Sequence, residues 1–386
     1  MTVKSNSKSN NLASLGILVL FTLFMISVPL TYGLEIIQVG EYDFGTAYDI
    51  VYRDEVAYVS GNDGVYVFDV SDRGDPVLLT QITESKGTFG LAIDGDILYV
   101  AGIDNGLFIV NVSDPDDPVI LGSSTEIMAL DVYVDEGYAY VASGGSFSIV
   151  DVSEPRNPVI SSTVHGEERI SITRVFDDTL YLGETNKGLM VYDVSDRGEP
   201  VYLNTVSGTG GIFDIEVDGE TMFLSCHGNG VKVLDLTDRR HPRVIGSSNN
   251  GGEAYGVHVV NDFLLVADLQ QGVEILDISS PGAPTLLATW TETHPHGISG
   301  DNNYVYLADQ DDGLEIFIYG DDLLAEEVTG SKTTTDDIQA TEDPPPESPD
   351  TRNENNVPGY TYSTIIIGLS LFIIMQYRAR LNRGTL

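Results

Sequence analysis

One short segment returns along the chain at nearly even spacing. GVYVFDVSDRGDPV at 64–77 reappears as GLFIVNVSDPDDPV at 106–119 and as GLMVYDVSDRGEPV at 188–201. Aligned on the residue that ends its apolar run, the repeat falls at Asp69, Asn111, Asp151, Asp193, Asp235, Asp277 and, degenerately, Ile318. The intervals are 42, 40, 42, 42, 42 and 41 residues. Each unit holds four strand-like runs. In unit one they are AYDIVY (47–52), VAYVS (56–60), VYVFDV (65–70) and PVLLTQI (76–82), with polar turns such as Arg53-Asp54-Glu55 between them. A period near 40 built from strands is the pattern of a propeller blade, in which stacked neighbours bury what one unit cannot bury alone.

The third run is apolar on both faces, with Val65 and Val67 on one and Tyr66, Phe68 and Val70 on the other. A strand reads this way only when it is covered on both sides, as the inner strands of stacked blades are. The last unit has HGISG (296–300), YVYLA (304–308) and LEIFIY (314–319), but no fourth strand follows. Ahead of the first unit stands an unattached run, LEIIQVGEYDF (34–44). The expected fold is therefore all-β: a seven-bladed β-propeller of four-stranded blades over 34–320. Its last blade is closed by the N-terminal strand, which spares an exposed sheet edge.

The third strands LFIVN (107–111), FSIVD (147–151), LMVYD (189–193), VKVLD (231–235) and VEILD (273–277) share one form. Each is followed within two residues by Ser or Thr and five residues later by Pro. In this the chain resembles the LVIVD-repeat family over about residues 34–320. The resemblance implies a β-propeller of bacterial or archaeal cell surfaces. It implies no defined catalytic activity and carries over no catalytic residues.

The two ends suggest where such a ring would stand. Residues 1–33 place Lys4 and Lys8 ahead of an apolar run from Leu12 to Leu30, closing on Thr31-Tyr32-Gly33. This reads as a secretory signal peptide, with an uncleaved membrane helix as the alternative. Residues 321–357 are acidic and rich in Thr and Pro, and read as a disordered stalk. Residues 358–377 contain the apolar stretch Tyr360–Tyr377, long enough to cross a bilayer. Arg378, Arg380 and Arg383 in the tail 378–386 hold that end in the cytoplasm and the ring outside. VPGY at 357–360, the apolar helix and the arginines together resemble the tripartite anchoring signals of archaeal surface proteins; a simple single-pass anchor is the plainer alternative.

Charge narrows the partners. The chain carries 19 Lys and Arg against 59 Asp and Glu, a formal net charge of −40. Phosphate binding needs a basic face, so nucleic acid is excluded as a partner. A membrane and an unknown extracellular protein or glycan remain. The single cysteine, Cys226, rules out an intramolecular disulfide.

The aspartate of each DVSD turn repeats too often to be one active site, and reads as a turn residue that satisfies backbone N–H groups. The first strand of each unit is more informative, because it lines the channel. On one face of these strands stand Asp49, Asp131 and Asp214, an oxygen triad fit for a hard cation such as Ca²⁺. Gly90, Gly256 and Gly297 at the same level leave room for water or a ligand. The alternative is a solvated channel mouth. Arg174, Glu216 and His258 form a polar cluster on consecutive units, read either as a binding site or as an Arg–Glu pair beside a structural histidine. His294 and His296 open the last unit and add a further possible ligand. The loop Asp309-Gln310-Asp311-Asp312-Gly313 resembles part of an EF-hand loop without its Glu or helices. Asn111-Val112-Ser113 is a glycosylation sequon in an exposed turn.

These readings favour a cell-surface binding or adhesion module without catalytic activity. The alternatives are a propeller hydrolase with a cation in the channel and a structural component of the cell envelope.

Overall fold

The doubly apolar third runs set the architecture, since each needs cover on both sides. In the computed structural model, which describes residues 34–184 and 186–320, they are largely buried, as are the second strands beside them. Val65, Val67 and Phe68 of unit one have no exposed surface, nor do Leu107, Ile109 and Val110 of unit two. Unit one is a four-stranded antiparallel sheet of Ala47–Arg53, Val56–Gly61, Gly64–Asp69 and Val77–Ile82, paired in chain order. Units two, five and six repeat this sheet. In units one to six the pairing of third and fourth strands slips by one residue at the same place, as at Val67/Phe68 and Ile275/Leu276. Such a bulge sharpens the right-handed twist and bends the outer strand.

The last sheet contains Pro295–Gly300, Tyr304–Asp309 and Gly313–Gly320. Its fourth member is the N-terminal strand Glu35–Tyr42, antiparallel to the third with Ile37 opposite Ile318. The expected closure is thus present. Units three and four depart from the pattern, because they share one seven-stranded sheet. A single strand of 18 residues, Val159–Phe176, serves both. Its first half pairs with Gly144–Asp151 of unit three and its second half with Thr179–Glu184 of unit four.

The first strands run in contact around a closed circuit. Ala47–Arg53 touches Thr88–Asp94, which touches Asp131–Asp135; the circuit continues through Val159–Phe176, Asp214–Asp218, Ala254–Val260 and Pro295–Gly300 back to Ala47–Arg53. The apolar core is distributed the same way, in clusters that lie between neighbouring units. Phe68 of unit one packs with Tyr306 and Ile316 of the last unit. Tyr140 and Phe147 of unit three pack with Leu180 and Met190 of unit four. Removing a large ring from such a site costs about 3–5 kcal/mol, so the sheets depend on one another for stability. First strands begin, and second strands turn into third, at one end of the ring, called the mouth below. The acidic turns lie at the other.

Candidate functional site at the mouth of the ring

Asp49, Asp131 and Asp214 each reach across a unit boundary. Asp49 accepts the Leu91 N–H at 2.8 Å and its own strand's Ile50 N–H at 2.8 Å. Asp131 accepts the Thr173 N–H at 2.8 Å and the Thr173 hydroxyl at 3.1 Å. Asp214 accepts the Val257 N–H at 3.0 Å and the Ile215 N–H at 2.8 Å. Each carboxylate therefore ties its unit to the first strand of the next, through hydrogen bonds strengthened by its charge. Where the aspartate is replaced by glycine, the neighbouring backbone fills the place. A Cβ on Gly90 would lie 2.7 Å from the Asp131 Cα, one on Gly297 2.7 Å from the Asp49 Cα, and one on Gly256 3.0 Å from the His296 carbonyl oxygen. These glycines allow close strand approach and do not open room for a ligand.

The cation among these acids is a side chain. Arg174 places Nη2 2.8 Å from Asp214 Oδ1 and Nη1 3.3 Å from Asp131 Oδ2, donates to the Thr173 carbonyl at 2.7 Å, and lies over the Tyr133 ring. Burial works against its charge, but Asp131 and Asp214, helped by Glu216 and Asp49, hold its pKa above the ordinary value. Asp49, Asp131 and Asp214, the residues of the expected Ca²⁺ triad, are engaged with donors of the protein itself. The oxygens of the three aspartates face N–H donors and Arg174, and among the described residues no three of His, Cys, Asp and Glu stand where they could hold a metal ion. The polar cluster is also rearranged. His258 Nδ1 lies 3.9 Å from Glu216 Oε1 and its Nε2 3.2 Å from the Gly300 carbonyl, while Arg174 turns to the aspartates. Burial raises Asp49 to about 7, with the neighbouring Asp214 and Asp131 adding to it. Burial, then Asp214, raises Glu216 to about 7. His258 is lowered by burial.

The repeated turn residues cap backbone. Asp69, Asn111, Asp151, Asp193, Asp235 and Asp277 each accept the N–H two residues on, at 2.8–3.0 Å. Asn111 takes the same place through Oδ1. The EF-hand-like loop is likewise a capped turn, with Asp309 Oδ1 accepting from Asp311 and Asp312. His294 and His296 diverge. His294 Nδ1 meets Asp311 Oδ2 at 3.2 Å, and His296 Nδ1 lies 2.9 Å from the Tyr48 carbonyl oxygen. Cys226 is buried, and desolvation pushes its thiol up to about 12, so it is unsuited to nucleophilic chemistry.

Alternation along the first strands hides one feature. Bulges near their starts, between Ala47/Ile50, Thr88/Leu91, Ala254/Gly256 and Pro295/Gly297, break the two-residue period. The residue just before the aspartate or glycine position carries a ring in five units, and these rings meet across four unit boundaries. Phe89 stacks on Tyr48 at 4.4 Å between centroids, Tyr48 meets His296 edge-on at 5.9 Å, and His296 lies 4.5 Å from Tyr255. Tyr255 lies 4.8 Å from Phe213, and His227 touches both. Tyr48 and Tyr255 are buried, whereas Phe89, Phe213, His227 and His296 keep part of their surface exposed. This collar was missed in the sequence because strict alternation turns those positions toward the core. The recurrence of an aromatic or imidazole at one register was the available signal.

The LVIVD repeat model matches residues 44–83, 88–125, 128–165, 174–207, 251–291 and 297–317, more than half of the chain. The chain belongs to the LVIVD-repeat family. Unit five falls between the matched stretches of this LVIVD-repeat protein, yet it forms the same four-stranded sheet. No curated protein matches it in sequence. Among solved structures it is similar to the WD40 beta propeller domain of Doa1, at 12% identity over 73% of this chain and 96% of that one, with a TM-score of 0.59. It is also similar to the computationally designed Ika8 protein, at 9% identity over 74% of this chain and 100% of that one, with a TM-score of 0.55. At such identities the likeness is one of fold: the LVIVD repeats form a β-propeller.

Proposed function

We propose that this LVIVD-repeat protein is an interaction module, a seven-bladed propeller held at the cell surface to present one end of its ring to a partner. In this count the seven-stranded sheet is two blades sharing a strand. The observation that carries the reading is the use of the channel's polar groups. Asp49, Asp131, Asp214 and Arg174 are taken up in links between units. A ring braced in this way is a rigid scaffold, and its function then rests on the surfaces it displays. Anchoring follows from the terminal segments: a signal peptide at 1–33, a stalk at 321–357, a membrane helix at 358–377 and a tail at 378–386. All four lie outside the described residues. Among the described residues no helix is long and apolar enough to cross a membrane. Asn111, held in a turn, is the glycosylation acceptor of this topology.

Protease added to intact cells tests the arrangement. It should release the ring by cutting within 325–357; a ring protected until lysis would refute surface display. Cross-linking on intact cells, with the cross-linker placed at either end of the ring, tests the interaction. Failure to trap any partner from both ends would refute the module.

A further inference from the structure

The collar and its surroundings suggest what kind of partner is bound, an inference that rests on the interaction-module reading above. The described arginines are distributed unevenly. Arg53, Arg73, Arg197, Arg239, Arg240 and Arg243 all stand at the turn end, each paired with a carboxylate. Three rings at that end also carry a guanidinium from the chain itself: Arg239 lies 4.2 Å over Phe176, Arg73 5.2 Å over Tyr304 and Arg197 5.6 Å over Tyr138.

The mouth has the rings and the acids with few cations. The loops around the collar carry Asp63, Glu84, Asp104, Glu126, Glu253 and Glu292. Against these the same end has Lys86, Lys187, Lys232 and Arg169, the last close enough to Tyr255 and His296 to act on both. Arg174 is held by Asp131 and Asp214 over the Tyr133 ring. Glu253 lies 3.5 Å from His227 Nε2. A half-exposed aromatic arc inside a negative rim attracts a cation twice. The ring faces attract it through their quadrupole, and the rim concentrates it from solution.

We propose that the collar docks a basic segment of a partner protein. An arginine or lysine side chain enters the mouth against the faces of Phe89 and Phe213, and the rim carboxylates hold the flanking positive charges. The partner's cation then stands to this collar as Arg239 stands to Phe176. A neutral glycan stacking on the same rings is the competing class of ligand, and the test separates the two.

The probe is a fluorescein-labelled Gly-Arg-Gly-Arg-Gly-Arg peptide, titrated into the full-length chain in detergent at 0.15 and 0.3 M NaCl. Xylohexaose is titrated in parallel. Phe89→Leu and Phe213→Leu keep apolar bulk and charge but remove the ring face. Each should weaken peptide binding about fivefold, a factor expected for one cation–ring contact. The loss should persist at the higher salt, where purely long-range attraction is screened. Asp277→Asn at the turn end should leave binding unchanged. Thermal unfolding of the Leu variants at the wild-type midpoint shows that the ring is intact; if either unfolds early, Phe89→Tyr and Phe213→Tyr should bind as wild type. Equal binding by wild type and both Leu variants overturns the proposal, since the peptide is then held by overall charge. Binding of xylohexaose and not the peptide overturns it in favour of a sugar site. If neither probe binds while cross-linking still traps a partner, the collar inference fails and the interaction reading stands.

Discussion

At the turn end of the ring units one to six solve the same problem in the same way. An aspartate or asparagine caps the backbone two residues on, and arginines bridge to the neighbouring unit, Arg53 to Asp96, Arg239 to Asp177 and Arg240 to Asp193. At the mouth the units differ. Three carry an aspartate that crosses the boundary, three a glycine that lets the next strand approach, and one, Ile172, neither. Rings gather over five of them. The repeat is thus uniform where it only has to turn the chain and varied where it faces the channel. Uniformity marks the scaffold, and the variation points to where recognition is placed.

The comparison presumes a closed ring, so the most severe test opens it. Deleting Leu34–Phe44 removes the strand that runs from one end of the last sheet to the other, together with the packing of Ile36, Val39, Tyr42 and Phe44. At about 1.5–3 kcal/mol for each well-buried side chain, the loss should lower the thermal midpoint by many degrees and broaden the transition. An unchanged, equally sharp melt would break the closure.

Next comes the brace at the mouth. Arg174→Met leaves Asp131 and Asp214 without their cation and should cost about 3 kcal/mol in denaturant unfolding. Adding Asp131→Asn and Asp214→Asn should recover part of that loss. A variant as stable as wild type would show that Arg174 is ornamental.

Titration should separate the two ends by sign. Asp49 and Glu216 are raised to about 7 by burial, as are Glu274 and Glu315 on the last two sheets. Their folded forms hold protons that the unfolded chain releases near pH 4, so their contribution is full below that point and lost as pH rises toward 7. The turn aspartates Asp69, Asp151 and Asp193 are lowered by hydrogen bonds from Ser71, Ser153 and Ser195. Their contribution is full above the unfolded value and lost as pH falls through the folded one. The melting midpoint should therefore be higher at pH 5.5 than at pH 7.5 and fall again in strong acid. Asp49→Asn with Glu216→Gln should reduce the neutral slope, leaving the share of Glu274 and Glu315 and the acid limb. If the double variant keeps the full slope, these two groups do not titrate as described.

The smallest effect belongs to the turns. Asp151→Asn keeps the accepting oxygen and should melt within a degree or two of wild type, whereas Asp151→Ala should fall measurably below Asn. Equal melts for Asn and Ala would remove the capping role.

Much of this was legible before any coordinates, and the reason is repetition. A strand apolar on both faces can only be an inner strand, and a missing fourth strand at one end with a spare one at the other can only close the ring. Asn111 standing where five units have Asp already pointed to an accepting oxygen in place of a charge. The shared strand Val159–Phe176 was not legible, since the interval from Asp151 to Asp193 is the same 42 residues found between other units. The partners of Arg174 were not legible either, because choosing among Asp131, Asp214 and Glu216 depends on side-chain reach across unit boundaries. The collar escaped because a bulge shifts the facing of residues without changing their spacing in the chain.

The pairing of Glu35–Tyr42 with Gly313–Gly320 has a consequence in time. The first strand of the ring to be synthesised has the last one as its partner, so it must wait for nearly the whole ring to be made. Until then both are sheet edges able to pair with another chain. Contacts between sequence-distant segments form slowly, and closure should be the slow, late step of folding. The joint that seals the ring is therefore also the point at which two unfinished copies are most apt to exchange strands.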